Sequence, residues 1–104
     1  MTHAALRRHE RISVPAGIEI HAVGPGLTGV ATVIGMGGMF LRAKDMQPPG
    51  TAFALKLTCA DKLIEVGCTV RYVTDHGMGI EFTSITGGND QKLLSLLDQV
   101  RAKS

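Results

Sequence analysis

Arg7, Arg8 and Arg11 fall within five positions of one another and are the side chains of this sequence best suited to hold a ligand. Arg7 and Arg11 are four apart, and the run passes directly into Ile12-Ser13-Val14-Pro15, where extended structure begins. A guanidinium is a planar fork of donors. It grips phosphate oxygens in pairs and can stack on, or hydrogen-bond to, the edge of a guanine, which an ammonium does less well. His3 and His9 add to the positive end. The rest of the chain is close to balanced, and the net charge is only +2, so the sequence is not that of a general polyanion binder.

The other reactive side chains do not assemble into a catalytic pattern, and the sequence is read as that of a non-enzyme. Glu19, Glu65 and Glu81 are scattered over the polar faces of separate strands. His3, His9, His21 and His76 lack ligand spacing, and Cys59 and Cys68 form no CxxC pair, so no metal is expected. No serine sits in a nucleophile elbow, and no phosphate-binding glycine loop precedes a helix. The run Gly35-Met36-Gly37-Gly38 is too short for such a loop and leads into a strand.

These residues need a scaffold, and 104 residues provide for one domain with a single core. Apolar residues make up 44% and charged ones 19%, the balance of a folded domain rather than a disordered chain. No apolar segment approaches a membrane span, and the opening residues lack the apolar core of a signal peptide. A cytoplasmic protein with reduced thiols is the expectation.

Residues 1–13 read as a basic N-terminal arm, and residues 14–104 as the folded domain. Ile18, Ile20 and Ala22 alternate with Glu19, His21 and Val23, which is the period of a half-buried strand. Gly24-Pro25-Gly26 ends it, and a second strand spans about Leu27–Ile34. Three glycines among residues 35–38 predict a bulge or tight turn, with positive φ or a close backbone approach. Residues 52–73 read as a long hairpin turning at Asp61-Lys62, with Leu57 opposite Val66, Leu55 opposite Cys68 and Cys59 opposite Ile64. That register keeps the cysteines apart, so no disulfide is expected. Thr74-Asp75-His76-Gly77 makes another turn, and Met78, Ile80 and Phe82 mark the inward face of a last strand.

After Gly87-Gly88 the period changes to that of a helix. Asn89 or Asp90 is placed to cap it, and Leu93, Leu94, Leu97 and Val100 form its apolar stripe. The fold class is mainly β: a six- to seven-stranded antiparallel barrel with one C-terminal amphipathic helix. Phe53, Tyr72 and Phe82 fall on the predicted inward faces and only Phe40 is unassigned. A single-stranded nucleic acid would therefore find no aromatic platform, and the arm alone would give salt-sensitive, non-specific contact.

In its motifs and their order the sequence resembles the PilZ domain family. Arg7-Arg8-His9-Glu10-Arg11 matches the family's RxxxR, and Thr32 to Phe40 occupies the place of its (D/N)xSxxG. Gly77-Met78-Gly79-Ile80-Glu81-Phe82 resembles its glycine-led last strand, which a closing helix follows. The resemblance runs from about Arg7 to Val100 and implies a split-barrel fold that binds cyclic di-GMP. Arg7, Arg8 and Arg11 would wrap the nucleotide, while the second motif would contact guanine and phosphate. Aligning Gly38 with the last glycine of that motif puts Val33 where Asp or Asn belongs and Gly35 where Ser belongs. Two lost hydrogen bonds weaken binding by roughly 1–6 kcal/mol.

The resemblance thus implies a cyclic di-GMP receptor of reduced affinity that relays the messenger to an effector protein in a motility, pilus or polysaccharide machine. The alternative is a PilZ-like adaptor that binds no nucleotide and works through protein contacts, with Val33, Met36 and Met39 as an apolar patch.

Overall fold

The computed structural model describes residues 10–103. Among the described residues seven strands precede one helix. The strands are β1 (Arg11–Ser13), β2 (His21–Gly24), β3 (Leu27–Gly35), β4 (Gly38–Ala43), β5 (Ala52–Cys59), β6 (Lys62–Val73) and β7 (Gly77–Ser84). The helix, α1, spans Asn89–Lys103. All pairings are antiparallel. Neighbours follow the order β3-β2-β5-β6-β7-β4, and β4 returns to β3, so six strands form a closed barrel with β1 as an extra strand.

The alternation seen in the sequence is what closes it. Ile20, Ala22, Leu55, Leu57, Ile64, Val66, Cys68, Val70, Met78 and Ile80 all point inward and are essentially fully buried. Their neighbours His21, Val23, Lys56 and Glu65 are exposed. Burying an aliphatic side chain of this kind contributes about 1.5–3 kcal/mol, and these ten alone define one continuous core.

β3 is long enough to carry two partners on one edge. Its first half pairs with β2, from Leu27 opposite Gly24 to Val30 opposite His21. Its last three residues pair with β1: Val33 with Ser13, Ile34 with Ile12 and Gly35 with Arg11. The predicted arm therefore ends inside the sheet, with Arg11–Ser13 as strand.

The hairpin between β5 and β6 corrects the predicted register. Its loop is Ala60-Asp61, one residue earlier than expected, with Cys59 opposite Lys62, Leu57 opposite Ile64, Leu55 opposite Val66 and Phe53 opposite Cys68. Ala60 takes up the reversal in the left-handed region at φ 55. The shift is two residues, so every side chain keeps its face while every cross-strand partner changes. Lys62, released from the loop, reaches α1 and donates to Ser95 Oγ and Gln99 Oε1 at 2.8 Å each. Both cysteines are free thiols.

Helix α1 packs on β6 and β1. β7 joins β6 only from Gly67 onward, which leaves the first part of that edge of β6 to the helix. There the Glu65 amide donates to Asn89 Oδ1 at 3.0 Å. Asn89 thus ties the helix to the sheet instead of capping it, and the first helical hydrogen bond runs from the Lys92 amide to the Gly88 carbonyl. The buried stripe is Leu93, Leu96, Leu97 and Val100. Leu94, expected on that stripe, is 42% exposed, and Leu96 takes its place.

Candidate ligand-binding site

Arg7 and Arg8 lie outside the described residues. Arg11 opens β1 and is exposed. Because β1 runs antiparallel to the end of β3, Arg11 sits directly opposite Gly35, and Ser13 opposite Val33. The last arginine of RxxxR and the two departed positions of the second motif are therefore ladder neighbours, although 22 residues or more separate them in the chain.

Gly35 and Gly38 serve close approach. None of Gly35, Gly37 and Gly38 has positive φ. A Cβ on Gly35 would run into the carbonyl oxygen of Glu10, and one on Gly38 would run into that of Ile80. Gly38 is buried at the start of β4, opposite Glu81 of β7. Of the three residues expected to form an apolar patch, Met39 lies in the core with no exposure, and Val33 and Met36 are half-buried.

The outer face beside this turn holds Tyr72, which simple alternation turns inward. β6 and β7 slip between Val70 and Tyr72: Val70 faces Ile80, but Tyr72 faces Gly79. Two steps on β6 match one on β7, a bulge that leaves Arg71 as the extra residue. Strict alternation from Val70 would turn Tyr72 into the core. The bulge instead turns it outward, 47% exposed, which corrects the predicted inward position. Its ring covers Gly79 so closely that a Cβ there would overlap ring carbons. Phe40 of β4 also pairs with Gly79, from the other side, and the two ring centroids are 6.4 Å apart.

A row of residues thus crosses four strands in register, from Val33 through Phe40 and Gly79 to Tyr72. Beside it Arg71 Nη1 donates to Glu81 Oε1 at 2.8 Å. Arg11, the Met36-Gly37 turn, Arg71, Tyr72 and Glu81 share one open cleft of about 730 Å³. Glu10 lines it as well, so the cleft offers two guanidinium forks, two acceptor-only carboxylates, of which Glu10 is held by Arg101, and an aromatic surface. Among the described residues no cluster of three or more His, Cys, Asp or Glu side chains is arranged to hold a metal. No helix among them is long and apolar enough to cross a membrane.

The fold is a closed antiparallel barrel with an arginine-bearing extra strand beside a glycine-rich turn. The PilZ domain profile matches residues 5–99, and the chain belongs to the PilZ family, whose domains are signalling and binding modules. The fold is also that of the crystal structure of an uncharacterised Legionella protein. The two share 21% identity over 90% of this chain and 96% of the other, with a TM-score of 0.67. At that identity the likeness concerns the fold alone. No curated protein matches the sequence.

Proposed function

We propose that this PilZ domain is a bacterial, cytoplasmic receptor for cyclic di-GMP that relays the messenger to an effector protein. One observation carries the reading. β1 pairs with the end of β3, so Arg11, the last of the arginine run, lies opposite Gly35 in the stretch that stands in the place of the family's second motif. Arg7 and Arg8 precede Arg11 in the sequence, and all three offer guanidinium forks to a ligand that carries two phosphates and two guanines. Val33 and Gly35 supply no side-chain hydrogen bond, so the affinity is lower than that of a domain with both motifs intact. Engagement of the arm by the ligand changes the surface that the domain presents, and that change is what the effector reads.

Isothermal titration with cyclic di-GMP tests this. The expected result is a saturable heat that Arg7→Ala and Arg11→Ala each reduce by at least about tenfold in affinity, the loss of a charge-assisted contact. No heat at millimolar ligand rejects the receptor and leaves the adaptor, which acts through protein contacts alone.

A further inference from the structure

Guanine presents three features to a protein. It has a π face, a Watson–Crick edge with N1–H and N2–H donors, and a Hoogsteen edge with O6 and N7 acceptors. In this chain β3 offers nothing to the second of these, since Val33 is apolar and Gly35 has no side chain. Across the same cleft β6 and β7 offer complements to the first two, and β1 offers one to the third. The Tyr72 ring lies over Gly79 on one side and is 47% exposed, which makes it a surface on which a base can stack. Glu81, half-buried at the cleft wall, is an acceptor-only group suited to paired N–H donors. Arg71 already holds Glu81 Oε1 at 2.8 Å, which fixes the carboxylate in place, and a carboxylate has further lone pairs to accept more. Arg11, in the same cleft, is left for phosphate or the O6/N7 edge.

The geometry points to Tyr72 and Glu81 as the guanine-reading residues of this domain, with the base stacked on Tyr72 and its Watson–Crick edge on the Glu81 carboxylate. The inference rests on the cyclic di-GMP reading and goes beyond it: base recognition is carried by β6 and β7 in place of β3. Shielding the bare backbone of Gly79 accounts for why an aromatic ring lies against the sheet. It does not account for the Glu81 carboxylate, the Glu10 carboxylate held by Arg101, and two guanidinium groups gathered beside that ring.

The test compares the full chain with Tyr72→Ala, Tyr72→Phe and Glu81→Gln, each first checked for an unchanged dispersed NMR spectrum. Cyclic di-GMP and cyclic di-AMP are titrated against each. Stacking on an aromatic ring predicts a loss of about 5- to 150-fold for Tyr72→Ala, with Tyr72→Phe within about threefold of the parent. Glu81→Gln is expected to lose at least about tenfold for cyclic di-GMP and to narrow the preference over cyclic di-AMP, whose adenines lack the paired donors. If the parent binds cyclic di-GMP and the variants bind equally well, the inference is overturned and the receptor reading stands. A folded Tyr72→Phe as weak as Tyr72→Ala also overturns it. If the parent does not bind cyclic di-GMP, the receptor reading falls, and millimolar GMP then decides the inference. Amide shifts at Tyr72 and Glu81 keep it as a guanine site, and their absence removes it.

Discussion

Arg11 and Gly35 face one another across the β1–β3 ladder, and the strand that carries Arg11 lies so close over Gly35 that no side chain fits there. The missing serine of the second motif is thus tied to how β1 sits. Restoring it is not a local repair. Gly35→Ser must push back the Glu10 carbonyl, and overpacking of this kind costs about 1–3 kcal/mol. Val33→Asp is different, because Val33 is only half-buried and faces Phe40 on the outer side. We expect Val33→Asp to keep the melting temperature within a few degrees. Gly35→Ser should lower it clearly and speed amide exchange in β1. Equal melting temperatures for the two would show that β1 yields without cost.

The helix face gives a second prediction. Leu96 is fully buried and Leu94 is 42% exposed, although sequence spacing favoured Leu94. Leu96→Ala should cost about 2–5 kcal/mol in urea unfolding, as core truncations do, while Leu94→Ala stays within about 0.5 kcal/mol. The reverse order would mean that the helix is rotated to present Leu94 to the sheet in place of Leu96.

Cys68 sets a pH limit. Burial pushes its thiol up from 9.0 to about 11, and the hydrogen bond with the Phe53 backbone lowers it by less. The folded chain therefore holds this proton after the unfolded chain has released it. The contribution is complete below pH 9 and is lost as pH rises from about 9 to about 11, up to ~3 kcal/mol in all. Urea midpoints of Cys68→Ala and the parent, measured from pH 7.5 to 10.5, should converge as the pH rises. In a Cys59→Ala background, Cys68 should also resist alkylation at pH 8 until the chain is unfolded.

Arg101 bridges Glu10 at 3.0 Å and Asp98 at 3.4 Å, joining α1 to the residue ahead of β1. Both ends of the Glu10 pair are about half exposed, so Arg101→Ala should cost less than about 1 kcal/mol in global stability. Its visible effect should be faster hydrogen exchange at Ile12 and Val14, measured by NMR. A large global loss would mean that the pair anchors more than the end of β1.

The barrel was legible because its determinants are local. Alternation in residues 18–23, 52–59 and 62–70 assigned inward and outward faces, and a two-residue error in the hairpin register left those faces intact. The cleft was less legible. A bulge inserts one unpaired residue, and nothing in Arg71-Tyr72-Val73 marks which residue is extra, so Tyr72 was carried inward by simple counting. Gly79 was the available signal. A glycine within a strand often has a ring lying over it, and only Tyr72 and Phe40 were placed to supply one. Leu96 was missed for a related reason, since 93, 94, 96 and 97 are all leucine and the stripe is settled by which side of the helix meets β6.

Among the described strands β1 is the one that the closed ring does not need. The six others complete the circuit from β3 through β2, β5, β6, β7 and β4 without it, and β1 shares its edge of β3 with β2 over just three residues. It lies as a slat on a finished drum, whose hoop closes without it. Any pull on Arg11 thus acts first on a few ladder bonds, the contacts of Ile12 and Val14, and the packing and ion pair that tie this end to α1, and not on the hoop itself.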